Sequence, residues 1–199
     1  MDAPAPDALL DALREMYRAR HDEVRAEWQR SLPLGELVVD RWARAAALGF
    51  GEGTSIYDSA LVLGDVRVGE RTWIGPFTVL DGSGGLVIGD TCSVSAGVQI
   101  YSHDSVEWAL SGGRAEYRRA PVEIGSHTYL GPHAVITRGV RIGKHCLVGA
   151  HALVNRDVPD GSIAFGCPAR VVGRVVVSED GAVTLEYHRE ALARAAEGG

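Results

Sequence analysis

The residue with the clearest chemical reach is His103, near the start of the polar and aromatic stretch YSHDSVEWALSGGRAEYRRAP at 101–121. A neutral imidazole titrating near physiological pH can take a proton from a hydroxyl or amine as that group attacks an electrophile. Asp104 or Glu107 stands close enough in sequence to orient the ring through its other nitrogen, a role a backbone carbonyl also fills. Trp108 offers a flat apolar face for a sugar ring, or an anchor for the loop. Arg118, with Arg119 beside it, can pair with an anionic small molecule or stay solvated.

A second set of imidazoles is periodic. His127 and His145 are 18 residues apart, as are His133 and His151. Stacked at that interval, such rings can ligate zinc if another subunit contributes a third histidine. The three cysteines, Cys92, Cys146 and Cys167, include no CxxC pair, which points to a reduced setting and not to a disulfide frame. Cys92 and Cys146 read as core residues, and Cys167 has no neighbouring base that would make it a nucleophile.

What must position these groups is a repeat. An aliphatic residue recurs every six positions at Ile56, Val62, Val68, Ile74 and Leu80. The phase slips by two across DGSGG at 81–85, resumes at Ile88, Val94 and Ile100, and returns after the loop at Ile124, Leu130, Ile136, Ile142, Val148 and Val154. All fourteen sites are Ile, Leu or Val, seven of them are followed by glycine, and the residue four further on is small or Val nearly everywhere, Asp104 being the exception. Neither an α-helix nor a two-sided strand has a period of six. A short strand plus a tight corner does: strand side chains alternate faces, so one bulky and one small residue point inward, and glycine serves the corner. Three such sides close an 18-residue coil, and coils stack at about 4.8 Å. About five coils are implied. The repeat breaks after Ile100, so the loop leaves one face of the solenoid, where loops commonly carry function.

Residues 4–30 read as an amphipathic helix, with Leu9, Leu10, Leu13, Met16 and Tyr17 on one stripe, and 36–48 as a second. They can cap the open first coil or line an acceptor pocket. Residues 174–187 read as a hairpin with a DG turn, and 188–196 as a closing helix. The division is therefore 1–52 helical, 53–175 β-helix with ejected loop 101–121, and 176–199 hairpin and helix.

Composition narrows the function. A net charge of −6 argues against a nucleic-acid or anionic-membrane binder. No apolar run reaches the roughly 18–20 residues of a membrane span. The first residues lack a basic region followed by an apolar stretch, so no signal peptide is expected and the setting reads as cytoplasmic.

The segments VQIYSHD at 98–104, PVEIGS at 121–126 and YLGPHAVI at 129–136, together with VGAHALVNRDVP at 148–159 and AFGCPAR at 164–170, carry a resemblance. They are similar to the hexapeptide-repeat acyltransferases, in particular the maltose, galactoside and nodulation-factor O-acetyltransferases, over roughly 54–175. The resemblance implies an all-β fold, a left-handed parallel β-helix, against the usual right-handed crossover rule. It implies a homotrimer with sites between subunits. It also implies acetyl-CoA as donor and a small-molecule acceptor, a sugar or sugar nucleotide, with His103 as general base. Nothing in the sequence suggests room for a longer acyl chain. It assigns Asp81 to acceptor contact, and Asp104, Trp108 and Arg118 are the acceptor candidates that the loop residues themselves offer. Gly131 then lines the thioester, and Ala150, Asn155, Arg156 and Arg170 hold the coenzyme. Two features depart from the family. No asparagine lies near 74–77, and Gly131-Pro132 stands where relatives have a serine, so that amide is missing as an oxyanion donor. N-acetylation of an amino sugar nucleotide or a xenobiotic is the nearest alternative. A γ-type zinc carbonic anhydrase is the other, although its paired histidines lie five apart on one coil and these lie six apart.

Overall fold

The computed structural model describes residues 6–188. Its centre is a left-handed parallel β-helix with three flat walls. The first wall stacks rungs at Ser55–Ile56, Trp73–Ile74, Ser93–Val94, Tyr129–Leu130, Leu147–Val148 and Ser162–Gly166. The second carries Val62, Leu80, Ile100, Ile136 and Val154 in register. The third carries Val68, Ile88, Ile124, Ile142 and Val158.

The six-residue sites face the core as expected. Thirteen of the fourteen are buried; the exception, Val62, is half-buried on the first coil. The small inward sites form a second ladder. Thr54, Thr72 and Thr128 each donate to a carbonyl of the next coil (Gly69, Gly89 and Gly143, at 2.6, 2.9 and 2.9 Å). Each also accepts a backbone N–H, from Thr72, Cys92 and Cys146. A small hydroxyl at this position thus satisfies peptide groups that the corner would leave buried and unpaired.

The first wall has six rungs where the repeat implied about five coils. The last was hidden because Val148 pairs with Ala164, 16 residues on, so the final coil is two residues short and carries alanine at the bulky site. The two-residue slip at 81–85 is a bulge: Gly64 pairs with Gly82 but Val66 with Leu86. Leu86 is buried beside Ile88.

The expected helix over 36–48 is two helices. After α1 (Pro6–Trp28) come α2 (Leu34–Val38) and α3 (Arg41–Ala47). Asp40 separates them, its carboxylate accepting from the N–H groups of Trp42 and Ala43 at 2.9 and 2.7 Å. An N-cap of this kind starts a new helix. Ala45 and Phe50 are buried in one cluster with the first coil, and Leu37 is buried outside that cluster. Arg44 donates to the carbonyls of Tyr57 and Ala60, and Glu36 accepts from Ser59. These short helices cap the open end, whereas the α1 stripe Leu9, Leu10, Leu13, Met16 and Tyr17 is exposed. At the other end Ala169–Val177 and Val183–Tyr187 form an antiparallel hairpin that extends the first wall. Its turn spans 178–182, closed by Ser178 N–H to the Ala182 carbonyl at 3.0 Å, and so is longer than a two-residue DG turn. The expected helix over 188–196 lies outside the described residues beyond 188.

Candidate active site

The loop leaves the β-helix at the corner between the second and third walls, where the chain turns from Ile100 toward Val122. It is an ordered flap. His103–Asp104 pairs antiparallel with Arg118–Arg119, and between them lies α4 (Val106–Leu110). The Ala120 N–H closes the flap root on the Ser102 carbonyl at 2.9 Å.

His103 stands at this root with its side chain 30% exposed, and its Nδ1 lies 2.6 Å from Oδ2 of Asp81. Asp81 belongs to the preceding coil, where it pairs in register with Tyr101. Its carboxylate is fully buried. Oδ1 accepts from the Ser83 hydroxyl and N–H at 2.5 and 3.0 Å; Oδ2 accepts the Ser102 N–H at 2.9 Å. Burial alone pushes this carboxyl upward, but the hydrogen bonds from Ser83, His103 and the backbone N–H groups of Ser83 and Ser102 outweigh it and hold the pKa down at about 2. Asp81 is therefore ionised at neutral pH and can only accept. The proton of the imidazole then resides on Nδ1, and Nε2 carries the lone pair. Tyr117, on the flap, stacks on the imidazole at 6.2 Å between centroids, and Trp108 meets Tyr117 edge-on at 5.6 Å.

The bulge supplies this arrangement. Gly82 has no room for a side chain, since a Cβ there would lie 2.5 Å from the Asp65 carbonyl carbon, and Gly85 adopts φ 95°. The glycines let the chain fold back so that Ser83 reaches Asp81, while the Gly84 N–H donates to the Ser102 hydroxyl at 2.7 Å.

Beside the ring opens a cleft of about 480 Å³ lined by Tyr101, His103, Asp104, Ser105, Val106, Thr137 and Arg138.

Several assignments shift. Asp81, expected at the acceptor, is inaccessible from the cleft and acts on the imidazole. Neither Asp104 nor Glu107 orients the ring: Asp104 pairs with Arg138 and Glu107 with Arg118. Asp104 does line the cleft, and its pKa is lowered chiefly by the Arg138 hydrogen bond. Trp108 and Arg118 belong to the flap and do not line the cleft wall. Asn155 and Arg156 sit on the same corner as the cleft, one coil beyond Thr137 and Arg138, because Ile136 and Val154 pair in register. Gly131 and Ala150 sit on the neighbouring corner, between the first and second walls. Arg170 is exposed at the start of the first hairpin strand, paired with Phe165 of the last rung, its Nη1 2.8 Å from the Ala169 carbonyl. Arg138 and Tyr117 escaped the sequence reading. Arg138 carried one signal, standing 18 residues before Arg156.

The histidines stack in two pairs, His127 with His145 at 4.7 Å and 24°, and His133 with His151 at 5.2 Å and 13°. All four have positive φ, between 52° and 62°, at the corners. Zinc needs ligand nitrogens converging at about 2.0–2.1 Å from one point, and face-to-face rings do not converge. Among the described residues no three His, Cys, Asp or Glu side chains are grouped to hold a metal. No described helix is long and apolar enough to cross a membrane.

Comparison with known proteins agrees with this geometry. The bacterial transferase hexapeptide (six repeats) model matches residues 121–156, and the hexapeptide repeat of succinyl-transferase model matches 65–102. Nodulation protein L of Rhizobium leguminosarum bv. viciae is 37% identical over 170 residues, covering 79% of this chain and 89% of that protein. Among solved structures, AntD, an N-acyltransferase from Bacillus cereus in complex with dTDP and 3-hydroxybutyryl-CoA, superposes with a TM-score of 0.55 at 22% identity, covering 74% of this chain and 77% of that one. A maltose O-acetyltransferase from Clostridium difficile 630 gives 0.53 at 21% identity, covering 82% and 84%. These two share the fold.

Proposed function

Since the chain belongs to the hexapeptide-repeat acyltransferase family, we propose that it moves an acetyl group from acetyl-CoA to a hydroxyl of a sugar or sugar-like small molecule, with His103 as general base. The observation that carries this reading is the His103–Asp81 pair, which leaves Nε2 as the basic nitrogen beside the cleft.

Bound acetyl-CoA supplies an activated thioester, so no acyl-enzyme is needed. As the acceptor oxygen attacks the thioester carbonyl, Nε2 of His103 takes its proton. The imidazolium that forms is stabilised by the buried carboxylate of Asp81. The C–S bond then breaks, and the proton passes from Nε2 to the departing sulfur. General-base assistance of this kind is worth about 10²–10⁴-fold.

The residues present fit the coenzyme. Asn155, Arg156 and Arg170 are exposed, and guanidinium groups suit phosphates. Gly131 lies on a corner with no room for a side chain, since a Cβ would stand 2.7 Å from the Gly149 carbonyl carbon, and Ala150 follows on the next coil. In one chain that corner is a different one from that of His103, which supports a site shared between copies and a homotrimer as the working unit. Unpaired Cys92, Cys146 and Cys167 support a cytoplasmic setting.

The test is a panel of acceptors scored by release of the CoA thiol. Sugars and glycosides bearing free hydroxyls are expected to react faster than amino sugar nucleotides or amine drugs. Faster release with an amine would replace O- by N-acetylation, and no acetyl-CoA-dependent release or binding would end the proposal.

A further inference from the structure

The base is attached where the flap interrupts the β-helix. His103 lies at the root of a flap whose own ladder is two residue pairs long. A pairing that short is marginal by itself. Beyond it Val106, Trp108 and Leu110 are exposed, Leu110 at 84%. Segments with so little buried surface open locally at low cost. Tyr117 cannot hold the ring against such motion, because it rides on the same flap.

One side chain reaches the flap from the coil beyond it. Arg138 stands two residues after Ile136, on the coil that stacks on Ile100 once the chain has returned from the flap. Its Nε donates to Oδ2 of Asp104, 34 residues earlier, while Oδ1 of Asp104 accepts the Val106 N–H that begins α4. Among the described residues the guanidinium makes no other hydrogen bond. The pair is about one-third exposed on each side. Ion pairs so exposed add little to stability, so its consequence belongs in the placement of the neighbouring residue.

We propose that Arg138 is a positioning residue for the general base: by holding Asp104 from the coil beyond the flap, it fixes the backbone from which His103 reaches Asp81. This rests on His103 being the base. Asp81 fixes the ring from the coil before the flap and Arg138 fixes its backbone from the coil after, so His103 is held from both sides of the excursion. A base displaced by about 1 Å can cost 10²-fold in rate.

The experiment compares Arg138→Ala, Arg138→Lys, Asp104→Asn and the double variant Arg138→Ala/Asp104→Asn, using the fastest acceptor of the panel and acetyl-CoA. For Arg138→Ala, kcat is expected to fall about tenfold or more. Both KM values should hold within about twofold, and the thermal midpoint within about 2–4 °C. Arg138→Lys should recover most of the loss, and the double variant should be no slower than the slower single one. Wild-type kcat in Arg138→Ala overturns the proposal. So does a raised KM at unchanged kcat, which makes Arg138 a binding residue, or a rate loss that merely follows the unfolded fraction. Nitrogen NMR of the imidazoles tests the strut without turnover. The His103 Nδ1–H signal should be sharp in the wild type and broadened in Arg138→Ala. An unchanged signal overturns the strut even in a protein that transfers nothing, and so separates its failure from that of the functional reading.

Discussion

Replacing Asp81 by asparagine changes one oxygen to an amide nitrogen inside a fully occupied hydrogen-bond cluster. Oδ2 receives His103 Nδ1 and the Ser102 N–H, while Oδ1 receives the Ser83 hydroxyl and N–H. If the new amide faces His103, the Ser102 N–H loses its acceptor and Nδ1 must itself accept. The imidazole proton then moves to Nε2, which ceases to be a base. If the amide faces Ser83, the Ser83 N–H is orphaned, and the imidazolium loses its counter-charge. The first outcome leaves a buried donor, the Ser102 N–H, unpaired at about 1–3 kcal/mol. Removing the carboxylate behind a catalytic histidine can cost about 10⁴ in kcat, so a loss of about 10²–10⁴ in kcat/KM is expected, read as thiol release. Stability changes with a defined sign. The folded pKa of Asp81, about 2, lies below its ordinary value of 3.8. The group therefore contributes stability that is fully present above roughly pH 5 and fades as pH falls toward 2, about 2 kcal/mol in all. Urea unfolding from pH 7 down to pH 3 should show this fading in the wild type and not in the variant. A variant that keeps more than a tenth of wild-type kcat/KM, with an unchanged pH profile, would refute the reasoning.

Ile136→Ala, in the second wall at 0% exposure, should lower unfolding stability by about 2–5 kcal/mol, seen as a lower urea midpoint with an unchanged slope. Arg156→Ala should raise the KM for acetyl-CoA about tenfold or more with little change in kcat, as expected for losing one charged hydrogen bond of about 1.5–3 kcal/mol; steady-state kinetics at saturating acceptor checks it.

The repeat was legible because every coil meets the same inside and outside, so burial imposes one period on the chain. Legibility failed wherever phase or partner changed. The last coil lost two residues and carries Ala164 where an aliphatic was sought, so it went uncounted. Within the hydrophobic pattern of 36–48, Asp40 starts a new helix by accepting from the N–H groups of Trp42 and Ala43. His103 could be found from the break in phase after Ile100. Its partner could not, because Asp81 lies 22 residues earlier, brought close by a bulge that reads only as a glycine-rich slip. Arg138 was hidden for a like reason, since its partner Asp104 lies on the far side of the flap. The α1 stripe reads as core-facing, yet α2 and α3 supply the cap and the stripe finds no cover within the described chain.

His103→Ala tests the base most directly. Its kcat/KM for the best acceptor, measured by thiol release on protein with a wild-type unfolding midpoint, should fall by about 10²–10⁴. A fall of less than about tenfold, with acetyl-CoA binding intact, would place the proton transfer on another group and contradict the role of the His103–Asp81 pair.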